Sequence, residues 1–196
     1  MFKLFDIWPC DVTISDPGLK RYINIDPRLF PKTKGKFAKK RFGKTRMHIV
    51  ERLINQLQIP GHRGKKHRII THWATGKYNK EIKNVIKAFK LIEEKTKQNP
   101  LQVYVTAIEN AAPRDEITTI EYGGARYPVA VDISPLRRIA LAIRHIVWGA
   151  YDRSFNSKKK IFEALAEEII AASQNSQDSF AIKKKIEMER QADSAR

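Results

Sequence analysis

Cysteine is nearly absent from this chain. Cys10 is the only one in 196 residues, which excludes an internal disulfide and a cysteine-rich zinc site. No run of about 18 apolar residues occurs, so no membrane-spanning helix is expected. The opening residues, MFKLFDIWPC, break their apolar run with Lys3, Asp6 and Pro9 and do not read as a signal peptide. The expected location is the cytoplasm. Common catalytic signatures are missing too: there is no Walker loop, no HExxH, no GxSxG and no closely spaced acidic cluster to hold Mg²⁺. The nearest approach to chemistry is a nuclease using His48 or His145 as general base, yet a histidine among helical residues is usually structural. His62, His67 and His72 recur every five residues, which does not place them on one helical face, and no cysteine or carboxylate joins them. No enzyme activity, metal or cofactor is expected.

Acid is the other scarcity. Aspartate and glutamate number 21 against 38 lysines and arginines, giving a formal charge of +17 and a sequence pI near 10.0. That imbalance favours a polyanionic partner. Nucleic acid ranks ahead of a membrane surface because the basic segments lack an amphipathic period of their own. Hydrophobic residues make up 42% of the chain, ample for a folded core. The expected class is mainly α: a helical bundle of about six helices with a protruding two-stranded β-hairpin and an extended basic N-terminal arm. Residues 1–45 form a strand-like segment and the arm; residues 46–196 form the helical, RNA-binding domain.

The most informative stretch runs from Asn99 to Tyr151. Asn99 can cap a helix, Pro100 suits its first turn, and Leu101, Val105, Ile108 and Ala112 supply an approximate apolar stripe until Pro113 stops it. A hairpin follows at about 114–133, turned by Gly123 and Gly124, which tolerate the positive φ of a tight two-residue turn. Counting outward pairs Tyr122 with Ala125, Ile120 with Tyr127, Thr119 with Pro128 and Thr118 with Val129. Ser134 and Pro135 then open a helix whose apolar side holds Leu136, Ile139, Ala140, Ile143, Ile146, Val147 and Ala150. At about 100° per residue, Arg137, Arg144, Trp148 and Tyr151 share the opposite face, flanked by Arg138 and His145. Cations and rings on one face suit RNA.

On the amino-terminal side, Leu4, Phe5, Ile7 and Trp8 pack on the body before a turn at Asp16–Gly18. From Lys20 to Arg46, eleven lysines and arginines face the single acid Asp26, interleaved with Tyr22, Phe30, Phe37 and Phe42. Lys34, Lys36, Lys39, Lys40, Arg41 and Lys44 are the phosphate contacts expected of such an arm, with rings free to stack on bases. A core helix follows with Ile49, Val50, Leu53, Ile54 and Leu57, then a second basic stretch containing Lys65 and Lys66, then a helix from Asn79 to about Lys97. Beyond the central unit, Ser157 is expected to cap a helix with Ile161, Leu165, Ile169 and Ala172 inward and Glu163, Glu167 and Glu168 in water. Lys183, Lys184 and Lys185 crowd the first turns of the last helix. Cations there oppose the macrodipole, which points to an external anion. The hairpin tip and this last helix are expected to face partners. A helix-turn-helix-like DNA-binding protein is the alternative, but cations spread over four segments fit irregular RNA better than one duplex groove.

The segments NPLQVYVTAIENAAPR, the GG-tipped hairpin, VDISPLRRIALAIRHIV and SFAIKKKIEMER together resemble the universal S-seven family of small-subunit ribosomal proteins. WPCDVTI, RYINIDPRLFPKTKGKFAKKRF and IVERLINQL resemble the longer amino-terminal half of archaeal and eukaryotic members. The resemblance implies a protein that binds the 3′ (head) domain of small-subunit rRNA, nucleates head assembly and lies near the exit-site tRNA and mRNA path. It implies other small-subunit proteins as neighbours, one copy of the chain per subunit and no membrane. Residue by residue, Lys65 and Lys66 match the family's Gly-Lys-Lys loop, Arg137, Arg138 and Arg144 its central arginines, and Lys183 and Lys184 its terminal pair. This chain departs by inserting HRIITHWATGKYN after the loop. Its hairpin also carries Glu121 and Tyr122 where bacterial members have cations, leaving Arg114 and Arg126 to supply the charge there.

Overall fold

Most residues of each apolar period are buried on one side of a helix, with Leu136 half-buried and Ala140 exposed as exceptions. The computed structural model describes residues 3–60 and 76–196. Lys65, Lys66 and the histidines at 62, 67 and 72 lie outside the described residues. The helices are α1 (Pro17–Lys20), α2 (Ile49–Leu57), α3 (Tyr78–Thr96), α4 (Pro100–Ala111), α5 (Pro135–Ser154), α6 (Ile161–Ser173) and α7 (Phe180–Ser194). Helix α6 packs against α3, α4 and α5, so its Ala164, Leu165, Ile169 and Ala172 sit in the middle of the core. In α2 the five residues of the stripe, Ile49, Val50, Leu53, Ile54 and Leu57, are all buried. Among the described residues, no helix is long and apolar enough to cross a membrane.

Strands β1 (Asp115–Tyr122) and β2 (Ala125–Asp132) form the hairpin in the register counted from its glycines, Thr118 opposite Val129 and Ile120 opposite Tyr127. Gly123 and Gly124 have φ of 58° and 82°, the pair of positive values that a type I′ turn needs. From Thr118 to Pro128 every residue is exposed, so the hairpin projects from the bundle. Its acids hold the base: Asp115 pairs with Arg196 at 2.6 Å and Glu116 with Arg137 at 2.6 Å.

Four local expectations change. Asp16–Gly18 is not a free turn; the Asp16 carboxylate accepts from Gly18 N at 2.8 Å and caps the one-turn helix α1, which buries Leu19. The basic segment is extended and irregular, as anticipated, but it is docked. Thr33 donates through N and Oγ to the buried Glu51 carboxylate at 2.8 and 2.7 Å, and Tyr78 Oη donates to the Pro31 carbonyl. Ser157 does not cap α6. Lys160 precedes its first turn, and the Glu163 carboxylate accepts from Lys160 N at 3.1 Å while Ser157 Oγ accepts from Lys159 N. The last helix is no free appendage either, since Ala181, Ile182 and Ala192 are buried and Glu189 accepts from Arg114 N at 3.0 Å.

His48 and His145 are both buried, which suits structure rather than proton transfer. His48 precedes α2, and its Nδ1 accepts from Val50 N at 3.2 Å, a cap that only the neutral ring provides. Burial lowers its pKa to about 4, with Arg28 adding to the shift and Asp26 opposing it. Burial likewise lowers His145 to about 4, helped by the Arg144 and Lys184 charges and opposed by Glu187. Unfolded, both rings titrate near the ordinary 6.5. Between pH 6.5 and 4 the unfolded chain therefore binds more protons, so stability falls as pH drops through that window. Unfolding in urea at pH 7 and pH 5 should show a loss of about 2 kcal/mol per histidine. A His145→Gln variant should lose distinctly less than the parent; an equal loss would assign the effect to other groups.

Candidate nucleic-acid interface

Helix α5 carries four of the residues expected to meet RNA, and its neighbours sort them into two kinds. Arg137 and Arg144 stay on the outer face. Arg137 makes a fork-to-fork pair with Glu116, Nε to Oε1 at 2.6 Å and Nη2 to Oε2 at 2.7 Å. That pairing raises its pKa further and aims the guanidinium along the base of the hairpin. Arg144 lies over the Trp148 ring at 5.9 Å, so cation and indole present one composite surface. Arg138 and His145, expected to flank that face, turn inward. Helix α7 packs across α5 beside His145, while α1 packs near Arg138. The Arg138 side chain is only 13% exposed, with Nη2 on the Asp16 carboxylate at 3.1 Å and Nε on the Pro113 carbonyl at 3.2 Å. It ties α5 to the amino-terminal segment.

The arm supplies a second group. Lys34, Lys36, Lys39, Lys40, Arg41 and Lys44 are all exposed. Arg41 sits over the Phe42 ring at 5.0 Å, and Phe30 and Phe42 are 61% and 58% exposed, leaving stacking surfaces between the cations. Arg52, which periodicity alone places on the back of a core helix, anchors this arm: Nη2 donates to the Tyr22 carbonyl at 2.9 Å and to the Lys44 carbonyl. Burial lowers its pKa to about 10, still far above neutrality. Lys44, Arg52, Arg137 and Arg144 are brought together around one open cleft between α2 and α5.

A third group gathers where the hairpin meets α7. Burial lowers the pKa of Lys185, with Arg114 and Arg138 adding to the shift and Glu189 opposing it. Lys185 Nζ donates to the Asn110 carbonyl at 2.8 Å, so it serves the fold and not an outside anion. Lys183 is exposed, and Lys184 pairs with Glu187 while lying 6.0 Å over the Phe180 ring. On the hairpin, Arg126 is opposed by Glu121 across the strands at 3.5 Å. Arg114, at the base, is exposed and gives only its backbone N–H to Glu189. The candidate cations thus occupy the arm, the outer face of α5 and the start of α7.

A family model described as ribosomal protein S7p/S5e matches residues 19–196. Over 195 residues the chain is 56% identical to the small ribosomal subunit protein uS7 of Nanoarchaeum equitans (strain Kin4-M), an alignment covering 99% of this chain and 98% of that relative.

The split between inward and outward arginines is testable with conservative changes. Arg138→Gln should lower unfolding free energy by roughly 2 kcal/mol, because a half-buried charged pair and a carbonyl contact are both lost. Arg144→Gln should leave urea unfolding within about 0.5 kcal/mol of the parent and reduce affinity for a polyanionic RNA. Interchanged results would mean that the inward and outward assignments are reversed.

Proposed function

The chain belongs to the ribosomal protein S7p/S5e family, and from that premise we propose that it binds the 3′ (head) domain of small-subunit rRNA. There it nucleates folding of the head and lies near the exit-site tRNA and the mRNA path. It is a structural, non-enzymatic ribosomal protein of the small subunit, at work in the cytoplasm. Its partners are rRNA and other small-subunit proteins.

The observation that supports rRNA binding best is the distribution of cations over separate elements that the bundle holds at fixed spacing. Lys34 to Lys44 lie on the docked arm, Arg137 and Arg144 on α5, and Lys183 and Lys184 on α7. A single duplex groove touches one face of a protein, whereas a folded RNA presents phosphates from several directions. This is why a helix-turn-helix reading is not favoured. We assign the RNA contacts to Lys34, Lys36, Lys39, Lys40, Arg41, Lys44, Arg114, Arg126, Arg137, Arg144, Trp148, Lys183 and Lys184, with Lys65 and Lys66 added on family resemblance. Arg138 belongs to this set only through its neighbours, which it positions. One copy of the chain acts in each subunit.

The hairpin projects from the bundle, with Tyr122 81% exposed at its tip. Its lack of apolar cover and its anchored base suit an arm that meets a partner after the bundle has docked.

Two measurements test this. Binding to a transcript of the head domain should weaken about a thousandfold between roughly 50 and 200 mM salt, because several phosphates are neutralised together. It should also exceed binding to an unrelated RNA of equal length; parity would reduce the protein to a generic cation. In subunits rebuilt with a chain lacking residues 121–126, rRNA docking should survive while exit-site tRNA binding weakens. Unchanged tRNA binding would leave the hairpin as scaffold only.

A further inference from the structure

The cleft between α2 and α5 has a composition that neither core packing nor phosphate binding accounts for. The apolar period of α5 assigns Leu136 and Ala140 to the core, yet Leu136 is only half-buried and Ala140 is exposed. Met47, Arg52, Asn55 and Gln56, at and along α2, face them across an open space. Leu136 and Ala140 form, with Met47 and the edge of Ile143, the apolar floor of an open cavity of about 480 Å³. Its rim is basic, with Lys44, Arg137 and Arg144, and among the described residues no aspartate or glutamate lines it. Along the α2 side stand two amides, Asn55 and Gln56. Asn55 is exposed, and its side-chain contacts are long: 3.5 Å to Met47 Sδ and 3.5 Å from Gln58 Nε2. Both amides therefore keep donor and acceptor capacity for something else.

We propose that this cleft takes one unstacked nucleotide of the bound rRNA, its base on the apolar floor and its phosphates on the cationic rim. The inference rests on the rRNA-binding reading above and adds to it a base-specific contact. A base has two apolar faces and a polar edge, which matches a floor of Leu136 and Ala140 beside the Asn55 and Gln56 amides. The volume suits a group of nucleotide size, while a duplex is too wide to enter. An apolar side chain from a neighbouring protein could fill the same floor. It would leave Lys44 and Arg144 without a counter-charge, and the charge complementarity selects the nucleotide.

The test uses the full chain and a transcript of the small-subunit head domain. Ala140→Trp fills the cleft without removing a cation, and Asn55→Ala removes an edge-reading amide from an exposed position. Each should weaken binding, Ala140→Trp by about tenfold and with a shallower salt slope because the nucleotide leaves with its phosphate, and Asn55→Ala less, with the slope unchanged because only a base-edge contact is lost. Chemical footprinting at single-nucleotide resolution should show one isolated base whose protection disappears in both variants. Unchanged affinity and footprint in a folded Ala140→Trp protein would overturn the proposal. So would a variant that binds the transcript normally but fails to enter assembled subunits, since the occupant would then be a protein. If circular dichroism shows Ala140→Trp unfolded, the Asn55→Ala footprint decides, lost protection of the single base supporting the site and full protection overturning it. Loss of salt dependence or of head-domain preference in the parent chain would instead refute rRNA binding itself.

Discussion

One buried carboxylate sets how the carboxyl-terminal third of this protein is assembled. Glu168 on α6 has no exposed surface, and its Oε1 accepts from Ser179 Oγ at 2.7 Å and from Ala181 N at 3.1 Å. Its Oε2 forms an ion pair with Arg153 of α5 at 3.2 Å. A buried charge is destabilising unless it is paired, and here two donors at the start of α7 meet Oε1 while the Arg153 charge on α5 faces Oε2. The carboxylate lies at the amino terminus of α7, where free N–H groups and the helix dipole favour negative charge. Gly149 makes the approach possible. A Cβ there would stand 2.8 Å from the Glu168 carboxyl carbon and 2.7 Å from Phe180 Cβ, so α5 and α7 can close on Glu168 only over a glycine. Because Glu168 determines where α7 begins, it also determines where Lys183 and Lys184 emerge and where Glu189 and Arg196 meet the hairpin base.

This arrangement explains why lysines are tolerated in the first turns of α7. Unfavourable to the dipole in an isolated helix, they read from sequence as a sign of an external anion. The anion at that terminus is internal. Lys183 and Lys184 are then free to face outward without unsatisfied helix N–H groups behind them, and Lys185 turns back to the Asn110 carbonyl. Scarce acid elsewhere serves the same end. Glu109 accepts from Ser15 N at 2.7 Å and Asp16 N at 2.9 Å, Glu93 accepts from Trp8 Nε1 at 2.9 Å, and Glu51 holds Thr33. These carboxylates fasten the irregular amino-terminal segment to helices by backbone and side-chain donors. Held this way, the segment needs few apolar residues of its own, and its lysines stay available.

What the sequence made legible was whatever depends on near neighbours. The helices follow from apolar spacing over short windows, and the hairpin register follows from a glycine pair that admits one tight turn. Exposure of the arm lysines follows from a stretch with too little apolar content to bury. The misreadings share a different cause: in each, a residue remote in the chain decides the environment. Glu168 looks solvated beside Glu167 until Ser179 and Arg153 are brought to it. Arg138 looks like another outward cation until Asp16 lies across it, and His145 until α7 covers it. Ala140 errs in the opposite direction, since an apolar period cannot tell that α2 stands off from it across an open cleft. Arg52 was silent because an arginine off the stripe of an amphipathic helix reads as solvent-facing, and only the returning arm gives it two carbonyls.

The same logic bears on how the protein can bind a large folded RNA with a modest bundle. Conformational entropy is the main obstacle to such binding, since every cation on a loose tail must be ordered in the complex. Here the cost is reduced in advance at three places. Arg52 docks both ends of the arm, at Tyr22 and Lys44, with Glu51 holding Thr33 between them; the Glu116 fork fixes Arg137, and Glu168 fixes the start of α7. Each fastening uses an acid or a carbonyl that faces inward, so the positive potential outside is little diminished. The hairpin departs from this pattern. Its acids, Asp115, Glu116, Glu121 and Asp132, outnumber its single Arg126, and two of them are engaged in clamping its base to α5 and α7. An arm so anchored, weakly charged beyond its base and tipped by glycine and tyrosine, is not drawn onto phosphate by charge alone.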